Sequence, residues 1–141
     1  MRSTGAAVRL ITDGDVAGVI HCADPDNTGI DIYIGTGGAP EGVLARAALR
    51  CLRGPMVVRL LLDERAAKLG VKDPRMVYGI EDMVKGDCLF SATGVTDGSL
   101  LSGVKFRKDV IQTETVVMRS VTGTVRVIKA EHRQLDKFYL D

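Results

Sequence analysis

The residues of this sequence with the types and spacing to do chemistry fall in two short stretches. Glu41 follows a run of glycines in Gly35-Thr-Gly-Gly-Ala-Pro-Glu-Gly42, and Asp13 and Asp15 flank Gly14. Glycines let a backbone approach a ligand closely, and free N–H groups at a helix start attract phosphate. A carboxylate beside such a loop suits a hard divalent cation that meets a phosphate. Each stretch also has a purely structural reading. Glu41 in a first helical turn is favoured by the helix dipole, and Asp15 is an N-cap candidate. Asp13 is then the acid with no local task. Two familiar phosphate loops are excluded. A dinucleotide fingerprint starting at Gly35 needs glycine where Pro40 stands; a Walker loop starting at Gly37 finds Val43 and Leu44 in place of Lys and Ser/Thr.

The elements around these residues are legible from periodicity. Ile30, Ile32 and Ile34 alternate with Asp31 and Tyr33, which predicts a strand over Gly29–Ile34. Val43, Leu44, Ala47, Ala48, Cys51 and Leu52 then recur at helical spacing, with Pro40 suited to the first helical position and Gly54-Pro55 ending the run. Upstream, Val8, Leu10 and Ile11 predict a strand over Ala6–Thr12, and Val16, Val19 and Ile20 predict a helix after the Asp13-Gly14-Asp15 turn. Asp24–Gly29 imitates a calcium loop but has Gly35 where the twelfth-position Glu belongs, so it reads as a surface turn.

Downstream, Met56–Leu62 is an apolar run that fits a strand or a buried helix, and Asp63–Leu69 favours helix. Pro74 breaks the pattern before Met76–Val84. Cys88–Ala92 is a strand candidate leading into Thr93-Gly-Val-Thr-Asp-Gly98, whose Thr93 and Thr96 suit either a turn or a phosphate contact. Thr115–Arg119 and Thr124–Lys129 read as an antiparallel hairpin around residues 120–123. The sum is an α/β domain: a mixed, mostly parallel sheet with helices packed on it and a C-terminal antiparallel hairpin. Ligands of such sheets bind beyond the carboxyl ends of strands, which is where the Asp13, Gly38 and Thr93 loops are expected to meet.

Composition narrows the function classes. The 141 residues make one domain, 45% hydrophobic and 26% charged, as a folded chain requires. A net charge of +1 with 4% aromatics and no Trp argues against nucleic acid. No apolar run approaches membrane-spanning length, and the N-terminus lacks the apolar core of a signal peptide, so the reading is a cytoplasmic protein without a membrane partner. Cys22, Cys51 and Cys88 show no C-x-x-C pairing and read as buried thiols. His21 and His132 lie far apart and read as structural histidines.

The blocks Thr12-Asp-Gly-Asp-Val-Ala17, Gly35-Thr-Gly-Gly-Ala-Pro-Glu-Gly42, Phe90-Ser-Ala-Thr-Gly-Val-Thr-Asp-Gly98 and Gln112-Thr-Glu-Thr-Val116, in this order, resemble class II fructose-1,6-bisphosphatases. That family includes bacterial enzymes that act on both fructose 1,6- and sedoheptulose 1,7-bisphosphate. The resemblance implies a phosphatase dependent on Mn2+ or Mg2+ that releases the 1-phosphate of the sugar. It implies that Glu41 is a metal ligand and that Asp13, Gly14, Asp15 and Gly38 contact the substrate, with no catalytic residue carried over. It spans nearly all of this chain but only the C-terminal half of the family's usual length. The N-terminal half, with its other metal carboxylates, is thus an expected partner. Alone, the chain is expected to fold, to lack bisphosphatase activity and to self-associate as a homo-oligomer. The alternative is a non-catalytic α/β module that keeps a sugar-phosphate or metal site for a regulatory role.

Overall fold

A computed structural model describes residues 2–61, 73 and 76–136. After one 3-10 turn at Arg2–Thr4 come α1 (Asp15–His21), α2 (Pro25–Thr28), α3 (Ala39–Leu52), β1 (Val58–Arg59), β2 (Val77–Tyr78) and α4 (Ile80–Met83). The remaining elements are β3 (Leu89–Thr93), β4 (Lys105–Arg107), β5 (Val110–Arg119) and β6 (Thr124–His132).

α3 forms where the helical periodicity is strongest. Pro40 sits in its first turn, where a missing N–H costs nothing, and Arg53 closes it in the left-handed conformation, donating its N–H to Leu49 O. Two sets of residues on this helix face two neighbours. Ala45 and Leu49 pack with Val19 of α1, while Ala48 and Cys51 pack with Phe90, Val116 and Met118 of the sheet. The alanines let both neighbours come close, and these two clusters form the core.

In the larger sheet β5 is central. One of its edges is shared by β3, from Leu89↔Arg119 to Thr93↔Thr115, and by β4, with Lys105 opposite Gln112. The other edge pairs with β6 from Ile111↔His132 to Arg119↔Thr124, which is the expected hairpin. A separate two-stranded ribbon joins β1 to β2.

Four expectations need correction or delimitation. Every pairing among the described residues is antiparallel, not mostly parallel. The segments Ala6–Thr12 and Gly29–Ile34 join no ladder, and Leu10, Ile32 and Ile34 are 81%, 71% and 70% exposed. Alternation marks a face to bury, but a strand also needs a neighbour with free N–H and C=O groups; β3, β4 and β6 already occupy both edges of β5. The described residues of Met56–Leu62 (56–61) and Met76–Val84 contain the ribbon β1–β2 followed by the short α4. The helix read over Asp63–Leu69 lies outside the described residues.

The Thr93–Gly98 loop is tied to the sheet by its own polar groups. Gly94 donates its N–H to Glu114 O at 3.0 Å, Gly103 to Asp97 Oδ1 at 2.9 Å, and Ser102 to Glu114 Oε2 at 2.6 Å. Thr93 and Thr115 share a hydroxyl hydrogen bond at 2.8 Å. The Lys105 ammonium, followed by the Gly103 N–H, holds the Asp97 carboxyl below its ordinary range, and the Ser102 donors do the same for Glu114. A Cβ at Gly103 would lie 2.5 Å from Thr96 C, so the loop closes only around a glycine.

Met118, 1% exposed, and Gly103 thus test the two constraints of the sheet. In urea denaturation Met118→Ala should lose about 2–5 kcal/mol of stability through the cavity it leaves. Gly103→Ala should lose about 1–3 kcal/mol through overpacking. Wild-type midpoints for both would refute this account of the packing.

Candidate functional site

The glycine loop meets α3 at Gly38, the N-cap, which is extended at φ −68° and ψ 157° and accepts the Gly42 N–H at 3.1 Å. Glu41 stands three residues later, in the first turn, where the helix dipole favours a negative charge. Its Oε2 folds back beside Gly38, so that any Cβ at Gly38 would collide with it. Glu41 is exposed and engages in no hydrogen bond with the described residues. The position is that of a capping-box carboxylate, but the oxygens are left available.

At α1, Gly14 is the N-cap, left-handed at φ 75° and ψ 34°, a conformation that favours glycine. This corrects the reading of Asp15 as cap. Asp15 is the first helical residue, and its Oδ1 accepts the Tyr33 hydroxyl at 2.8 Å. Its Oδ2 lies beside the glycine loop, where a Cβ at Gly37 would be 3.1 Å away.

Tyr33 is the residue that sequence reasoning missed. Its ring is wedged between Gly18 of α1 and Gly35 of the loop, where added Cβ atoms would come within 2.9 Å and 2.7 Å of ring carbons. Burial pushes the Tyr33 phenol above its ordinary pKa, and the hydrogen bond to Asp15 and the charge of Asp15 add to the shift. The available signal was a tyrosine on the polar phase of an otherwise alternating segment.

A groove of about 1170 Å³ runs past these groups. Asp15, Tyr33, Gly35–Gly38 and Glu41 line it together with apolar Ile32, Ile34, Val57 and Leu61. The structure therefore brings Asp15, Gly38 and Glu41 to one groove. Asp13 and Gly14 are exposed on the turn before α1 and are not among its lining residues, and neither are Thr93 and Thr96. Two of the three loops expected on one edge meet. Among the described residues no three His, Cys, Asp or Glu side chains cluster to hold a metal ion. Glu41 offers a single hard oxygen donor group, whereas divalent cations of this kind take about six oxygens.

The family model for bacterial fructose-1,6-bisphosphatase, glpX-encoded, matches residues 1–132. A protein of a Synechocystis species, D-fructose 1,6-bisphosphatase class 2/sedoheptulose 1,7-bisphosphatase, is 38% identical over 150 aligned positions, covering 94% of this chain. Proteins of the same name from two Synechococcus strains are 38% identical over the same shares. The chain spans 43% of the length of these curated relatives, corresponding to their C-terminal part.

The Tyr33–Asp15 contact has a measurable signature. The fold favours the neutral phenol, so this contribution to stability is complete below pH 10, the ordinary tyrosine value, and is lost as pH rises through the raised folded value. Tyr33→Phe should flatten the alkaline fall in Tm, and Asp15→Asn should bring the Tyr33 ionisation down in an ultraviolet titration. A Tyr33 that ionises identically with and without the Asp15 charge would refute the contact.

Proposed function

This chain belongs to the bacterial class II fructose-1,6-bisphosphatase family, and on that premise we propose that it is the substrate- and metal-binding C-terminal part of a metal-dependent sugar bisphosphatase. The reaction is hydrolysis of the 1-phosphate of fructose 1,6-bisphosphate, with sedoheptulose 1,7-bisphosphate as a second substrate. The observation that supports this reading is the meeting of Asp15, the glycine loop and Glu41 along one groove.

A phosphate monoester is anionic and repels an incoming hydroxide. A bound divalent ion, Mn2+ or Mg2+, screens that charge and supplies hydroxide near neutral pH. Glu41 fits as one ligand, since its oxygens are exposed and accept no hydrogen bond from the described residues. The other ligands would come from the family's N-terminal half. The free N–H groups at the start of α3, next to Gly38, would receive a phosphate of the substrate. The Asp13-Gly14-Asp15 turn would take the sugar, because carboxylates accept hydrogen bonds from hydroxyls and cannot donate to phosphate. Tyr33 holds the Asp15 carboxylate in place for that contact.

The N-terminal half would bind over the exposed Leu10, Ile32 and Ile34. Without it, that apolar surface should drive the isolated chain to self-associate. The setting is cytoplasmic, and no described helix is long and apolar enough to cross a membrane.

The test joins this chain to the N-terminal half of a family member and measures phosphate release from fructose 1,6-bisphosphate with Mn2+ or Mg2+. No release above the metal-only blank, from folded material, would sink the assignment. In the joined protein Glu41→Gln should lower turnover on the order of 100-fold or more, because the metal supplies several kcal/mol of charge stabilisation. Asp13→Asn should raise KM about tenfold with little change in Tm, the worth of one hydrogen bond. An unchanged KM with a fallen Tm would instead make Asp13 a structural residue.

A further inference from the structure

Cys51 and Cys88 come from distant parts of the chain, 37 positions apart, yet their sulfurs lie 3.6 Å from each other. Cys51 is in the last turn of α3, and Cys88 immediately precedes β3. The Cys88 backbone is clamped to the hairpin, its N–H bonded to Ser120 Oγ at 2.8 Å and its carbonyl accepting the Ser120 N–H at 3.0 Å. Its thiol donates to Ala47 O at 3.4 Å, while the Cys51 thiol donates to Cys88 O at 3.8 Å. Both thiols are free.

A disulfide needs two sulfurs on Cβ vectors that point at each other, carried on backbones that need not move. Packing has already brought the two sulfurs to 3.6 Å, with both backbones held in regular hydrogen bonding. We propose that Cys51 and Cys88 are a modification site, oxidised by a peroxide to an intramolecular disulfide that a thiol reductant reopens. Cys88 is half-buried and Cys51 is 1% exposed, so Cys88 meets the oxidant first. Its thiolate takes one oxygen from hydrogen peroxide to give the sulfenic acid and hydroxide. The Cys51 sulfur then attacks the sulfenic sulfur, the S–O bond breaks, and water leaves with the Cys51 proton. Two thiols and one peroxide give one disulfide and two waters. Burial, then the hydrogen bond with Cys88, pushes the Cys51 thiol up to about 11, so Cys51 acts as the resolving partner rather than the first nucleophile.

The disulfide would tie the end of α3 to the entry of β3 independently of any substrate or metal. This inference does not rest on the proposed phosphatase activity. Cys22, half-buried near α1, serves as the internal control.

The experiment treats the folded full chain with hydrogen peroxide, blocks free thiols after denaturation, and maps peptides by mass spectrometry without reduction. The expected result is a Cys51–Cys88 cross-linked peptide with a mass loss of about two hydrogens, Cys22 still alkylated, and full reversal by dithiothreitol. Closing the loop should also raise Tm by about 5–15 °C. Cys88→Ser should abolish both effects. Cys51 and Cys88 both alkylated after oxidation, separate sulfinic acids, or a cross-link to Cys22 would each overturn the proposal. The peptide map is read on the unmutated chain, so a poorly folding variant does not decide the matter.

Discussion

The structure depends on one helix being wanted on two sides at once. Ala45 and Leu49 of α3 face α1, and Ala48 and Cys51 face the sheet. Fully buried Arg46 lies between these residues in the sequence, its guanidinium pushed below the ordinary arginine pKa by burial and then by Arg50. Because α3 begins at the glycine loop, its packing also fixes where Gly38 and Glu41 lie. Site and core are therefore two ends of one rigid element, and small residues allow both neighbours to approach it.

Local features were legible in the sequence wherever one segment decides its own structure. The helical period over Val43–Leu52, the Gly54-Pro55 stop and the hairpin around residues 120–123 depend on neighbours in the chain, and the structure has them. Strand pairing depends on partners. Ile30, Ile32 and Ile34 carry the same alternation whether or not an edge is available, so periodicity alone could not tell a paired strand from an unpaired segment.

The candidate site shows the same division. Glu41 and the glycines were readable because their chemistry lies in residue type and spacing. The bond from Tyr33 to Asp15 spans 18 positions, and it became visible only when the ring was seen between Gly18 and Gly35. In the sequence Gly18 had no reason to be glycine, and Gly35 had only that of a ligand-facing loop. A bulky ring explains both.

The two-sided burial of α3 also has a consequence in time. Synthesis proceeds from the N-terminus, so α1 has already left the ribosome when α3 emerges, whereas Val116 and Met118 follow roughly 65 residues after the end of α3. At about 5–20 residues per second this leaves the sheet-facing side of α3 uncovered for several seconds. The helix is half-sheltered by α1 during that interval. The hairpin of β5 and β6, joined by a short turn, forms within about 1–10 μs once complete, so the arrival of the last strands, and not their pairing, sets when the core closes.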